Sequence, residues 1–445
     1  MVKACFLLCT YFLLTLNSQA KSIFLDEPIF NSKVYVSFFG DKNKQPLILV
    51  HGLGNEASTI WKTTVHALKE DFYIMHFDLP GFGNSTKEKK QYTPKKYALL
   101  IKYLSDKYIK KPFLLMGHSM GASISLKYTS MYEQDVTKLI LIDAAGILHK
   151  EAYAKFLISQ KLTFSKGVTN QTNDSKLGTF FSNVFSKVEK ILPVSFDEVM
   201  GSASNSLSTT SSVASISLLA EDFTSILDSI KQKTLIIWGQ KDDVAPLRTG
   251  YILDKHIKNS RLDIIEDSKH IPMVSHFNAY IRILKSFLNN EKYQKKSEKI
   301  FKEKVSLLTV ENQKNIVIQG NYKKLIIRKS KNILIKNAKI DELIIYDSDV
   351  HIMNTKIISK ELAIKIEYSN VLITNSLIEA NKPIIARSTR LDIAGTQLIG
   401  KEYVIYNMIE NENVHVIFSL SKISTSLYKN KNIHKKIVLI RKNKI

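Results

Sequence analysis

The feature that most constrains the fold is a serine between two glycines, in the segment Gly117-His118-Ser119-Met120-Gly121. The apolar run 113–116 before it is typical of a buried strand, and residues 122–131 after it are typical of a helix. A sharp turn between a strand and a helix lifts the serine hydroxyl clear of the sheet in a strained backbone conformation. Because the backbones crowd on both sides of such a turn, we expect a Cβ at Gly117 or Gly121 to clash.

A serine hydroxyl is a weak nucleophile at neutral pH. It needs a base that takes its proton, a carboxylate that orients the base, and donors that hold an oxyanion. The apolar run 46–50 ends in His51-Gly52-Leu53-Gly54, which is a Gly-rich turn after a buried parallel strand. The backbone N–H groups of Leu53 and Met120 are therefore the expected oxyanion donors. His51 is expected to hold this loop by hydrogen bonds.

Predicted strands alternate with predicted helices along most of residues 21–290. This alternation predicts an α/β fold, a doubly wound and mostly parallel sheet with helices on both faces. Residues 147–222 break the alternation with helix-like pieces joined by polar loops. They are therefore predicted to be an insertion into the sheet rather than a part of it.

Four segments resemble the α/β-hydrolase superfamily in their order and spacing: HGLG at 51–54, DLPGFGNS at 78–85, GHSMG at 117–121 and LIDAAG at 141–146. The resemblance covers residues 21–290 and implies a serine hydrolase of the esterase or lipase kind, acting on a small-molecule or lipid ester. It also implies that the insertion 147–222 is a helical cap over the active site. One departure is Ala122, where many relatives carry a third glycine.

The resemblance implies that Asp242, just beyond the predicted strand 234–239, is the carboxylate of a catalytic triad. The next residue, Asp243, is the alternative. Asp143 also follows a strand and would serve only in a variant layout, since it more commonly shapes a turn. The residue types alone do not decide between the two neighbouring aspartates.

The expected base is His270, which follows the last predicted strand, 262–265. The resulting chain order of Ser119, Asp242 and His270 is the order that this fold uses. Relatives usually carry glycine where Lys269 stands, so the chain has an additional cation beside this loop.

Serine at the turn argues against dehalogenase and epoxide hydrolase relatives, which use a carboxylate there. C–C bond hydrolases, thioesterases and cofactor-free peroxidase-like members share the same residues and stay open as alternatives. A surface-binding protein with a vestigial hydrolase fold is an alternative of a different class. The sequence contains no metal-ligand cluster and no nucleotide-binding loop, so no metal or other cofactor is expected.

Beyond residue 311 the pattern changes to short β-branched runs. The last residues of these runs, at 318, 335, 352, 373, 393 and 416, are separated by 17, 17, 21, 20 and 23 positions. A repeat of about twenty residues is typical of a solenoid. Residues 312–445 resemble the right-handed parallel β-helix of pectate lyase-like proteins, with a β-sandwich as the alternative. The Lys-, Glu- and Asn-rich residues 291–311 are predicted to be a linker.

Residues 1–20 have the pattern of a secretory signal peptide, with a basic start, an apolar segment and the small-residue site Ser18-Gln19-Ala20. A retained membrane anchor is the alternative, although the apolar segment is short for a bilayer span. Both cysteines, Cys5 and Cys9, lie in this segment, so we expect a mature chain without disulfides. We expect an exported protein in the periplasm or outside the cell, with association to a surface as a further option.

The formal charge of the chain is +23. Residues 291–445 hold 29 Lys and Arg against 15 Asp and Glu, which places 14 of these charges there. We expect residues 312–445 to bind an anionic membrane surface or an acidic polysaccharide. The alternatives are a solvated basic surface and a domain that contacts only the hydrolase part. No nucleic-acid-binding motif is present, so no nucleic acid partner is expected.

Because the three triad residues lie within 21–290, the sequence predicts that this part folds and works alone.

Overall fold

The structure is a computed structural model that describes residues 21–88, 90–153, 155–156, 210–291, 303–409 and 412–439. The predicted signal peptide 1–20 lies outside the described residues, as do most of the predicted cap and residues 292–302 of the predicted linker.

An eight-stranded sheet forms the centre of the N-terminal part. Its strands are β1 (Lys21–Glu27), β2 (Ser32–Phe39), β3 (Gln45–Val50), β4 (Phe72–Phe77), β5 (Phe113–His118), β6 (Val136–Ile142), β7 (Lys233–Gly239) and β8 (Ser260–Ile265). They lie in the order β1-β2-β4-β3-β5-β6-β7-β8. The pairs β1–β2 and β2–β4 are antiparallel and the other pairs are parallel. The predicted mostly parallel sheet is therefore confirmed.

Helices cover both faces of this sheet. They are α1 (Lys62–Leu68), α2 (Pro94–Tyr108), α3 (Met120–Met131), α4 (Thr210–Ala220), α5 (Thr224–Leu227), α6 (Arg248–His256), α7 (Pro272–Ser275) and α8 (Phe277–Leu288). Along β3, Leu47 and Leu49 belong to one apolar core, whereas Ile48 and Val50 belong to the other. Successive side chains of a strand point to opposite faces, so this strand is buried on both sides. Among the described helices, none combines the length and the apolar character needed to cross a bilayer.

A second, strand-rich sheet follows. Its strands are β9 (Lys304–Glu311), β10 (Val317–Arg328), β11 (Ile333–Tyr346), β12 (Asp349–Met353), β13 (Lys356–Ile358), β14 (Leu362–Glu367), β15 (Asn370–Thr374), β16 (Leu377–Glu379), β17 (Lys382–Arg387), β18 (Thr389–Ala394), β19 (Gln397–Ile399), β20 (Ile405–Asn407), β21 (Val414–Ser419), β22 (Ser421–Ser424), β23 (Lys431–Ile433) and β24 (Lys436–Leu439). Three rows of parallel strands run through it: β12-β15-β18-β21, β13-β16-β19-β22 and β14-β17-β20. Among the described strands of this sheet, only β23 and β24 pair antiparallel with a neighbour.

The repeat predicted from the sequence corresponds to this strand register. Ile335 of β11 pairs with Ile352 at the start of the first row, and Ile373 and Ile393 are the next partners along it. All four side chains are fully buried. The last position of the predicted repeat was wrong, because Ile393 pairs with Phe418 rather than with Val416. The strand β21 continues beyond Val416 to Ser419, so the end of the apolar run at Val416 lies two residues before the partner of Ile393.

The predicted linker was too long at its C-terminal end. Residues 304–311 form β9, which pairs in parallel with β10. Most β9 side chains are exposed because this strand ends the sheet, so its sequence lacks the buried apolar alternation that marks the other strands. The strand-rich part therefore begins at Lys304 rather than at residue 312.

The two parts of the chain share a packed interface. Ala394, Ile417 and Leu420 of the second sheet belong to the same apolar core as Ile252 and Leu253 of the hydrolase part. Separating the parts would expose these side chains to water. The structure thus argues against the expectation that residues 21–290 are self-sufficient.

Candidate active site

Ser119 lies at the sharp turn between β5 and α3, as the sequence predicts. Its backbone has φ 56° and ψ −120°, a conformation that is strained for a residue with a side chain. A Cβ on Gly117 would lie 2.2 Å from the carbonyl oxygen of Gly121, and one on Gly121 would lie 2.2 Å from that of Val50. Both distances are far below van der Waals contact, so the predicted clash at the two glycines is confirmed.

The structure brings Ser119, His270 and Asp242 together in one line of hydrogen bonds. Ser119 Oγ lies 2.9 Å from His270 Nε2, and His270 Nδ1 lies 2.8 Å from Asp242 Oδ2. The side chains of His270 and Asp242 are fully buried, and Ser119 is fully buried as well. This line can carry a proton from the hydroxyl to the imidazole while the carboxylate orients the ring.

Asp242 is held in place by its own loop. Its Oδ1 accepts the backbone N–H groups of Val244 at 2.8 Å and Ala245 at 2.9 Å. These two donors leave Oδ2 free to face His270. The sequence shows that a turn follows β7, but the direction of these N–H groups is set by the folded backbone.

The alternative acids, Asp243 and Asp143, make other contacts. Asp243 Oδ2 is 3.4 Å from Lys269 Nζ, and burial raises the pKa of the Asp243 carboxyl. Lys269 thus serves as the partner of this second aspartate. Asp143 Oδ1 accepts the backbone N–H of Gly239 at 2.8 Å, which ties the end of β6 to the end of β7. Asp242 thus forms a hydrogen bond to His270 Nδ1 in this structure.

The loop that carries Leu53 packs directly against the serine. A Cβ on Gly52 would lie 2.7 Å from Ser119 Cβ, so only glycine permits this approach. Met120 is the first residue of α3, and the first N–H groups of a helix have no partner within it. The loop that carries Leu53 and the first turn of α3 thus both lie beside Ser119, where an oxyanion would need donors.

His51 holds this loop, as the sequence predicts. Its Nε2 accepts the backbone N–H of Leu79 at 2.9 Å, so the ring proton is on Nδ1, which donates to the carbonyl oxygen of Gly52 at 2.7 Å. Burial lowers the pKa of His51, which favours this neutral form. The ring thus joins the loop after β3 to the turn after β4.

His118 is a positioning residue that the sequence reasoning missed. Its Nε2–H donates to the backbone carbonyl of His270 at 2.8 Å, and burial lowers the pKa of His118. His118, Asp143 and His270 could together approach a metal ion, since their ligand atoms lie within 4.8 Å of one another. Both ring nitrogens of His270 already face Ser119 and Asp242, so this group fits proton transfer better than metal binding.

Residues 45–277 match the profile of the alpha/beta hydrolase fold family. The match spans more than half of the chain, and the chain belongs to this family.

Among similar proteins, Lipase 1 from Psychrobacter immobilis is 26% identical over 245 residues, which are 53% of this chain and 74% of that lipase. Lipase 3 from Moraxella sp. (strain TA144) is 26% identical over 233 residues, 52% of this chain and 73% of that lipase. An esterase structure from Exiguobacterium antarcticum aligns with a TM-score of 0.46 at 24% identity, covering 60% of this chain and all of that one. The family and these lipase relatives identify the chain as a hydrolase and support activity on esters.

Proposed function

We propose that this hydrolase cleaves a carboxylic ester through an acyl-enzyme formed on Ser119. His270 is the general base and acid, and Asp242 orients His270. The observation that carries the proposal is the buried line of hydrogen bonds from Ser119 Oγ through the His270 ring to Asp242 Oδ2. The lipases among the relatives favour an ester as the substrate, either a small molecule or a lipid.

In the first half of the reaction, Ser119 Oγ attacks the ester carbonyl carbon while His270 Nε2 takes the hydroxyl proton. The carbonyl oxygen becomes an oxyanion that accepts hydrogen bonds from the Leu53 and Met120 N–H groups. Each such donor is typically worth about 10²–10³ in rate. Asp242 stabilises the imidazolium, which then gives its proton to the leaving alcohol as the carbon–oxygen bond breaks.

In the second half, a water molecule attacks the acyl carbon and His270 takes a proton from that water. The same N–H groups hold the second oxyanion. The bond from the acyl carbon to Ser119 Oγ breaks, His270 returns its proton to Oγ, and the carboxylic acid leaves. The enzyme is then back in its starting state.

A substrate panel tests this proposal. The purified chain is assayed on p-nitrophenyl esters of increasing acyl length, on a matched acyl thioester and on a 1,5-diketone substrate of C–C bond hydrolases. We expect saturable turnover that is fastest on an ester. Preference for the thioester or the diketone would assign one of the alternatives. No turnover of any substrate would favour a vestigial hydrolase fold.

We further propose that the C-terminal sheet is a right-handed parallel β-helix similar to that of pectate lyase-like proteins. The three rows of parallel strands and the stacked, buried isoleucines support it. A crystal structure of the full chain tests the handedness, and a left-handed coil or a sandwich of two sheets would contradict the proposal.

The basic surface of this domain is proposed to hold the enzyme at an anionic membrane or polymer. Lys339 and Lys356 are partners in neighbouring strands and both are exposed, so two like charges lie side by side. We expect the mature chain to sediment with phosphatidylglycerol vesicles at 0.1 M salt and to be released at 1 M, since the Debye length falls from about 10 Å to about 3 Å. The double variant Lys339→Gln/Lys356→Gln should bind more weakly. Equal binding to neutral vesicles would contradict the electrostatic proposal.

Export is proposed through cleavage after Ala20, which would give a mature chain that begins at Lys21. The support is the pattern of residues 1–20. N-terminal sequencing of the protein recovered from the periplasm or the medium should begin at Lys21. An intact N-terminus in the membrane fraction would indicate a retained anchor instead.

A further inference from the structure

The second sheet packs against two segments that lead away from the catalytic centre. One is α6, which follows the loop that carries Asp242. There the side-chain amide of Asn375 donates to the carbonyl oxygen of Tyr251 at 2.7 Å. The other segment follows β6, where the backbone N–H of His149 donates to Ser419 Oγ at 2.9 Å. The interface thus contains specific polar contacts in addition to its apolar core.

A bidentate, largely buried contact of this interface joins Arg248 and Asp392. The guanidinium makes two hydrogen bonds to the carboxylate, at 3.1 Å and 2.7 Å. The side chains of Arg248 and Asp392 are only 11% and 8% exposed. A bidentate contact of this kind fixes both the distance and the orientation between the guanidinium and the carboxylate. Removing either partner leaves an uncompensated buried charge.

Arg248 is connected to the triad acid by a short and constrained segment. It is the first residue of α6, and the preceding residues Val244 and Ala245 donate the two N–H groups that hold Asp242 Oδ1. The carbonyl oxygen of Ala245 in turn accepts the indole N–H of Trp238 at 3.1 Å. The segment 242–248 is therefore anchored at Ala245 by Trp238 of β7 and at Arg248 by Asp392 of the second sheet.

We propose that Asp392 is a positioning residue for the hydrolase, which acts through Arg248 to keep Asp242 in line with His270. The inference rests on the proposed roles of these two triad residues. A misplacement of about 1 Å by a change far from the chemistry can lower the rate by about 100-fold. The C-terminal sheet is in this account a part of the catalytic unit, in addition to any surface that it binds.

The test compares Asp392→Asn, Arg248→Gln and the double variant in the full mature chain. The ester turnover rate is divided by the concentration of active serine, measured by titration with a fluorophosphonate. We expect each single variant to lower kcat per active site by about 10- to 100-fold, with KM within about twofold of the wild type. The double variant should be no worse than the poorer single variant, because both changes break one contact.

A control variant at the same interface is Lys422→Gln. It breaks the contact between Lys422 and Asp228, which is more exposed and does not touch the segment 242–248. An exposed ion pair contributes little, so kcat per active site should stay at the wild-type value.

Two outcomes would overturn the proposal. The first is a smaller active fraction with wild-type kcat per active site, which would mean that the pair only stabilises the fold. The second is an equal loss of kcat in Lys422→Gln. Should the single variants give no folded protein, Arg248→Lys decides, because it keeps the charge and loses the bidentate contact. A lowered kcat in this variant supports the proposal, and a wild-type kcat overturns it. Failure of the proposed function would appear separately, as a wild-type chain that neither reacts with the probe nor turns over esters.

Discussion

Replacing the proposed nucleophile, Ser119→Ala, is expected to lower ester turnover by about a millionfold while the fold is retained. In the proposed mechanism this hydroxyl attacks the ester, and the contact of 2.9 Å between its Oγ and His270 Nε2 is the first link of the proton path. Alanine keeps the Cβ and removes only the hydroxyl, so the strained turn keeps its packing. The measurements are kcat on a p-nitrophenyl ester and the midpoint of thermal unfolding.

The matched control is Ser125→Ala, which removes another buried hydroxyl from the same helix. Ser125 Oγ donates to the carbonyl oxygen of Gly121 at 2.8 Å and has no part in the proton path. We expect a stability loss of about 1 kcal/mol and turnover close to that of the wild type. Near-normal turnover in Ser119→Ala would contradict the assignment of the nucleophile.

Asp242→Asn is expected to lower kcat by about 10⁴-fold, and the geometry of the loop explains why. The N–H groups of Val244 and Ala245 require an acceptor where Oδ1 now lies, so the amide oxygen of the asparagine will take that place. Its NH₂ group then faces His270 Nδ1 as a donor. This contact forces the ring proton onto Nε2, and the imidazole can no longer accept the proton of Ser119.

The comparison variant is Asp243→Asn, which should keep kcat within a few-fold of the wild type. In the wild type, burial raises the pKa of the Asp243 carboxyl in the folded state. The ionised carboxylate therefore destabilises the fold at pH values above that pKa. The neutral amide removes this cost at the expense of the contact with Lys269, and we expect no fall in the unfolding midpoint. A severe loss in Asp243→Asn with a mild one in Asp242→Asn would transfer the role of the acid to Asp243.

Local patterns were sufficient for much of the fold and for the residues that meet at the site. Buried parallel strands are visible in the sequence as apolar runs. The need for glycine at positions 117 and 121 follows from the backbone crowding that any such turn produces. The repeat of the second sheet was visible for a similar reason. Asn337, Asn354, Asn375 and Gly395 each lie two positions after a residue of the repeat. All four have φ near +50°, a conformation that asparagine and glycine tolerate best.

Other features depend on contacts between distant segments. The choice between Asp242 and Asp243 rests on the direction of two backbone N–H groups, which adjacent residues of the same type do not reveal. The role of His118 depends on the carbonyl of His270, 152 positions away. Arg248 and Asp392 are 144 positions apart and neither lies in a recognisable motif, so the sequence alone suggested two independent domains.

The most direct test of the central claim is the mass of the full chain after reaction with a fluorophosphonate, followed by peptide mapping. A phosphonyl group should add once per molecule, displace fluoride, and map to the peptide that contains Ser119. Ester turnover should fall in proportion to the labelled fraction. An unlabelled chain that still hydrolyses esters, or a label on another serine with loss of turnover, would contradict the account.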